Sequence, residues 1–353
     1  MKKKLILAIS MIAVLICLFA ICINAASVEL DGVIYNTNDN ANYEGFDGNA
    51  TVSASNRTAT TKVVVIPEAI TVNEKNYKVT AVENNAFNGN TTVETIVIYP
   101  KLKEIPSWMV QGAKNLKKLY IDFSEVVTIG SRSLTLATKD DMNPVEGQEF
   151  KIYTPESYIT GTDVEITTVN FDKVTSIGSG AFNNTSLKYV TIGKECKSIG
   201  IQTFRFGDLI EITVESDADI PNYFCADNAS LSKIKIGKPT TVGTHAFASC
   251  KSVTEVRADM SAVTSVSGNA FCFSSQYDGG NNTAQWYNLN GEKIVDLTSV
   301  ETLEGGGKSG AFASSNIGSA TIIWPKAITV MKDQAFRKCN IKGTMCILMQ
   351  PKM

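Results

Sequence analysis

Apolar residues return along this chain at intervals of about 23 residues, and the polar positions between them return in the same phase. The anchor of the pattern is an Ala-Phe pair. Its phenylalanine position is filled by Phe87, Val110, Leu134, Phe182, Phe204, Phe224, Phe247, Phe271, Phe312 and Phe336, with Met109, Ser133, Thr203 and Tyr223 standing in for Ala in some copies. Five residues earlier comes an aliphatic: Val82, Ile105, Ile129, Ile177, Ile199, Val242, Val266 or Met331. Gly130, Gly178, Gly200 and Gly243 follow four of these, which reads as freedom for the chain to turn. Beyond each Phe lies a leucine-like residue with apolar residues three and five places later, as in Leu231, Ile234 and Ile236. The pair spaced by two has the period of a strand, because alternate side chains share a face. One unit of this size cannot bury its own apolar face, so copies must stack. The pattern therefore predicts a right-handed, β-rich parallel solenoid of about ten units, with a parallel sheet along one face. Short strands or single helical turns lie opposite, and a Phe spine fills the centre.

Two intervals, of 48 and 41 residues, are too long for one unit and predict insertions at about 135–165 and 273–307. The first carries Pro144, Pro155, Tyr153, Tyr158 and the acidic Asp140, Asp141, Glu146 and Glu149. The second carries Tyr277, Trp286 and Tyr287, then Leu289-Asn290-Gly291-Glu292 between apolar residues, which predicts a β-hairpin. Upstream, residues 26–78 predict an antiparallel cap with hairpin turns at Asp31-Gly32 and near Asn73 to Asn76, leaving 79–353 as the solenoid.

The best copy reads Val174-Thr-Ser-Ile177-Gly178-Ser-Gly-Ala181-Phe182 and continues into Leu187-x-x-Val190-x-Ile192. These segments, with Asp31-Gly32-Val-Ile-Tyr35 and Val65-Ile66-Pro67 near the start, resemble the BspA-like leucine-rich repeat family of bacterial surface proteins over residues 28–346. The resemblance implies a leucine-rich-repeat solenoid, and a role in adhesion to host matrix or to other cells. It does not identify a ligand, because scaffolds of this kind host many partners.

Lys2, Lys3 and Lys4 precede an apolar run from Leu5 to Ile23 and the small residues Ala25, Ala26 and Ser27, the layout of a secretory signal within residues 1–25. The run is also long enough to span a bilayer, so a retained N-terminal anchor is the alternative, and the only membrane contact expected. Either way the protein is expected to be secreted or held at a bacterial cell surface. Formal charge is −2, and loss of the three signal lysines makes it −5, which gives no electrostatic case for nucleic acid. Six cysteines lie beyond the signal: Cys196, Cys225, Cys250, Cys272, Cys339 and Cys346. Several occupy fixed places relative to the repeat Phe, so buried thiols are expected rather than bridges. After the last strand position comes Cys346-Ile347-Leu348-Met349, which has no polar capping unit. Either another segment covers that end or the chain is shorter than its relatives.

Catalytic chemistry is thinly supplied. The one histidine, His245, sits in a repeat slot filled elsewhere by Asn85, Gly180 and Asn269, and reads as a turn residue. No zinc spacing or nucleophile motif is present, and Gly305-Gly306-Gly307-Lys308-Ser309 resembles a phosphate loop only superficially. No metal or cofactor is therefore expected, nor an enzyme. The alternative is a glycan-active hydrolase built on the insertion carboxylates. The leading expectation is binding of extracellular proteins or glycans by outward strand positions and insertions. Candidate contact residues are Tyr120, Tyr189, Lys235 and Arg257 on the sheet, with Trp286 and Tyr287 beside them.

Overall fold

The alternation seen in the sequence folds as strands of two to four residues, stacked coil upon coil. The computed structural model describes residues 26–137, 150–274, 283–306, 309–326 and 328–341. The signal segment, the acidic group at 140–149, Tyr277, Gly307-Lys308, Cys346 and the apolar end lie outside the described residues.

The long face carries three parallel sheets. Val63–Ile66, Thr95–Ile98, Lys118–Tyr120 and Lys151–Tyr153 form the first. Thr168–Phe171, Tyr189–Ile192, Glu211–Val214, Lys233–Ile236, Glu255–Ala258 and Gln285–Tyr287 form the second, and Ile294–Asp296 pairs with Thr321–Ile323 in the third. The predicted pairs spaced by two point inward, for example Ile212 with Val214 and Ile234 with Ile236, all nearly inaccessible.

Opposite lie two-residue parallel strands, such as Ser176–Ile177 paired with Ser198–Ile199, followed by turns instead of helical turns. These turns form a ladder of their own. In most coils the residues two before and two after the Phe position have positive φ: Asn85 and Gly89, Gly180 and Asn184, Gln202 and Phe206, His245 and Ser249. Their N–H groups, with that of the Phe position, donate to the next coil, as Gly180, Phe182 and Asn184 do to the carbonyls of Ile201, Thr203 and Arg205. Left-handed backbone is costly outside glycine and milder for Asn and Asp, which accounts for Asn85, Gly89, Gly180 and Asn184, whereas Gln202, Phe206 and Ser249 bear the cost in full. Three inter-coil hydrogen bonds offset that cost.

This ladder corrects one assignment. In the coil after Phe204, the residues with positive φ are Tyr223 and Asp227, and the N–H donating to Ala246 is that of Cys225. Cys225 therefore holds the Phe slot and Phe224 the Ala slot, with Ile220 as the aliphatic five residues before, bridging to Val242. The ring still joins the spine from the adjacent slot, which turns it. Phe182–Phe204, Phe247–Phe271, Phe271–Phe312 and Phe312–Phe336 are stacked at 5.2–5.5 Å, whereas Phe224 meets Phe204 and Phe247 edge-on at 83° and 87°.

The recurrence of glycine at Gly130, Gly178, Gly200 and Gly243 also has a different cause from turn freedom, since none has positive φ. A Cβ at each would lie 2.2–2.5 Å from the backbone nitrogen of the preceding coil. Close approach of two backbones is what requires glycine here. Gly200→Ala is expected to cost about 2–3 kcal/mol, because the atom it meets is backbone that cannot swing aside. Chemical denaturation checks this, and a change within 0.5 kcal/mol of wild type would contradict the contact.

The buried cysteines follow the same grammar. Cys250 and Cys339 stand three residues after the Phe position, and their thiols donate to the carbonyls of Cys225 and Phe312 at 3.1 and 2.7 Å. Asn228 fills the equivalent slot and donates to Phe204. Cys196, Cys225, Cys250, Cys272 and Cys339 are all buried thiols, and burial pushes Cys250 up to about 12 and Cys339 up to about 11. Thiolate chemistry is suppressed at both.

In the cap, the hairpins at Asp31-Gly32 and Asn73-Glu74 form with both central residues at positive φ. One pairing is parallel, Gly48–Val52 with Lys75–Val82, so the cap is not wholly antiparallel. The latter strand crosses the expected boundary at residue 78 and delivers Val82 to the core, while Val63–Ile66 already begins the long-face sheet.

Candidate functional site

The outward rows of the long face come out in register. On the second sheet one row is Asn170, Thr191, Thr213, Lys235, Arg257 and Tyr287, and the other is Thr168, Tyr189, Glu211, Lys233, Glu255 and Gln285. Neighbouring strands in such a sheet lie about 4.8 Å apart, so each row is a ladder of side chains. Thr321 lies outside both rows, opposite Ile294 in the third sheet.

Of the candidate residues, Lys235, Arg257 and Tyr287 are brought together as consecutive members of one row. The Arg257 guanidinium lies over the Tyr287 ring at 5.3 Å, and Lys293 lies over the same ring at 5.9 Å. Arg257 Nε donates to Glu255 at 2.7 Å, and Lys293 donates to Gln285 at 3.0 Å. Hydrogen bonding to Glu255 first, and its charge second, hold the Arg257 pKa above its ordinary value. Tyr189 is exposed in the other row, four strands away from Gln285.

Two candidates are not surface groups. Trp286 takes the inward slot beside Val256 and is fully buried, its indole N–H donating to the Ser315 carbonyl at 2.8 Å. Successive side chains of a strand point to opposite faces, so the neighbours Trp286 and Tyr287 cannot both point outward. Tyr120 does occupy the outward slot of the first sheet, in register with Val65, Val97 and Tyr153. The first insertion covers it. Pro155–Thr160 form a short helix with Pro at its start and Gly161 in left-handed conformation at its end, a sequence that suits both positions. That helix lays Tyr158 edge-on against Tyr120 at 5.2 Å, while Tyr153 stacks on Tyr120 at 5.1 Å. Asp163 then accepts hydrogen bonds from the Tyr120 hydroxyl and from Lys118. Burial first, and that hydrogen bond second, push the Tyr120 phenol up. Tyr120 is a strut under the insertion.

The second insertion is not a hairpin. Gln285–Tyr287 pairs in parallel with 255–257, and Ile294–Asp296 pairs in parallel with Thr321–Ile323. The Asn-Gly turn is real: Asn288 N–H donates to Glu292 and Gly291 has φ of +84°, but it sends the chain from one sheet to the next. It projects Leu289 and Asn290 over a cleft of about 460 Å³ lined also by Asp259, Ser261, Ile294 and Ile323. Leu289 and Ile323 are exposed large apolar side chains at this cleft. Lys293 and Leu289 were not candidates from sequence. The 41-residue interval hid their register, although the alternation through Gln285-Trp286-Tyr287 was there to be read.

His245 sits in the turn ladder with φ of +56°, as its slot required, but it is half-buried rather than solvated. Its ring stacks on Tyr223 at 4.9 Å and its Nε2 is 2.9 Å from Asn269 Nδ2. Burial, then the Arg205 charge, lower its pKa. Among the described residues no group of three or more His, Cys, Asp and Glu is arranged to hold a metal ion. The acidic group at 140–149, on which the hydrolase alternative rests, lies outside the described residues. No helix among the described residues is long and apolar enough to cross a membrane.

Residues 68–141, 158–278 and 291–345 match, in six copies, the family described as BspA type leucine rich repeat region. No curated protein matches the sequence. Among solved structures, a leucine rich cell surface protein from Faecalibacterium prausnitzii is 14% identical, with 91% of this chain and 99% of that chain covered and a TM-score of 0.31. The pneumococcal vaccine antigen PcpA is 15% identical, covering 87% of this chain and 88% of its own, with a TM-score of 0.33. A leucine-rich repeat protein from Eubacterium ventriosum is 15% identical over 85% of this chain and 97% of its own, with a TM-score of 0.42.

Proposed function

Because the chain belongs to the BspA-type leucine-rich repeat family, we propose that it is an exported, non-catalytic binding protein that meets extracellular proteins or glycans at the cell surface or in the medium. The observation that carries this reading is the run Lys235, Arg257 and Tyr287, fixed in register on a rigid sheet beside an open cleft. A partner with acidic and hydroxyl groups meets donors at spacings set by the strands, at little cost in ordering the protein. Tyr and Arg at the centre of such a surface are the residue types that most often dominate affinity. Export rests on Lys2 to Lys4 and the apolar run after them.

The test is a screen of the protein against extracellular matrix proteins and a glycan array, followed by Lys235→Ala, Arg257→Ala and Tyr287→Ala on any ligand found. Each is expected to weaken binding about tenfold, or about 1.4 kcal/mol, with the melting temperature within a few degrees of wild type. Affinity that survives all three changes would place the contact elsewhere.

A further inference from the structure

A second concave site lies where the cap meets the first coils, independent of the row just described. A groove of about 550 Å³ is lined by Tyr43 and Phe46 from the cap loop, Glu68 from the turn before residue 69, Lys78 and Thr80 from the cap strand Lys75–Val82, and Lys101 with Lys103 from the loop after Thr95–Ile98. Val79 and Pro100 complete its lining. Junctions between structural units are where ligand sites concentrate, and an apolar lining with a few convergent polar groups is their usual composition.

The charges converge from separate elements. Lys78 Nζ is 5.7 Å from the centre of the Tyr43 ring and 6.0 Å from that of Phe46. Among the described residues it has no carboxylate within ion-pair distance. Lys101 and Lys103 are held from outside the groove, by Asp122 at 3.8 Å and Glu125 at 3.0 Å, and both lysines are largely exposed. Exposed ion pairs of this kind are weak and exchange partners readily. Glu68 is the one carboxylate in the lining.

We propose that this groove binds an anionic saccharide, a pyranose unit bearing a carboxylate or sulfate. The half-buried rings of Tyr43 and Phe46 offer flat apolar surface to the C–H face of a sugar. Lys78, Lys101 and Lys103 take the anionic group, and Glu68 and Thr80 accept from or donate to the ring hydroxyls. The volume admits one or two sugar units. An acidic peptide is the poorer fit, because the rings of Tyr43 and Phe46 offer it no matching flat face and nothing in the groove needs its backbone.

The test is calorimetric titration of the protein with digalacturonate and with a chondroitin sulfate disaccharide, at low and at high salt. The dimethyl ester of digalacturonate, polyglutamate, acetate and sulfate serve as comparisons. Binding of at least one acidic disaccharide is expected, weakened tenfold or more by esterification, by Lys78→Gln and by Tyr43→Ser, and weakened by salt. Which disaccharide binds distinguishes carboxylate from sulfate. Lys235→Gln is expected to leave this affinity unchanged, which separates the groove from the sheet face. Four results overturn the proposal: no heat with either acidic disaccharide, equal affinity for the ester, displacement by acetate or sulfate at the same concentration, or tighter binding of polyglutamate. Unaltered affinity in Lys78→Gln, with an unchanged circular dichroism spectrum, overturns it as well.

Discussion

Trp286→Ala is expected to be among the most damaging single changes in the protein, costing about 3–5 kcal/mol for the lost ring. The Ser315 carbonyl loses its indole donor in a buried place, which adds about 1–3 kcal/mol. Trp286 touches Phe271, Phe273 and Phe312, so the hole opens where the second insertion joins the spine. Trp286→Phe keeps most of the packing and loses only the donor, and should fall between alanine and wild type. Equilibrium denaturation of the two variants measures both parts; a loss below about 1 kcal/mol in Trp286→Ala would show that the indole is not core. The neighbouring Tyr287→Ala is expected to change binding and leave stability nearly alone. The strand thus divides one function from the other between adjacent residues.

Phe247→Ala is expected to cost about 3–5 kcal/mol by the same mechanism, since this ring lies between Phe224 and Phe271 with no exposed surface. Each coil touches only its neighbours, so the damage should begin locally. Amide exchange is expected to speed up first for the N–H groups of Cys225 and Phe247 in the turn ladder, while those of Phe87 and Val110 keep their protection. Uniform acceleration along the whole chain would refute nearest-neighbour coupling, and a loss under about 1 kcal/mol would refute the spine.

Much of this was legible because the repeat imposes one register on many copies. The inward pairs, the outward rows and the Phe spine all follow from a period that errors in a single copy cannot disturb. What escaped was local or long-range. At Phe224 the order of large and small residues is exchanged, and the ring alone suggested the wrong slot; the aliphatic Ile220, five residues before Cys225, was the signal that was missed. Trp286 looked like a surface anchor because an insertion had broken the count that would have shown its phase. Tyr120 was assigned to the right face, but its burial depends on Tyr158, 38 positions away, folding back over it. The glycines were found and misread, because a close approach to another coil leaves no mark on the turn itself.

The hydrogen bonds of both the sheets and the turn ladder run from coil to coil, and therefore along the axis of the stack. Tension applied between the two ends loads these rungs one after another instead of shearing many at once. Coils should peel away singly, each releasing about 23 residues, or roughly 75–80 Å of extended chain. Pulled by flow while fixed at one end, the molecule would lengthen stepwise and dissipate work, and a ligand on the remaining coils would stay bound while the far end unravels.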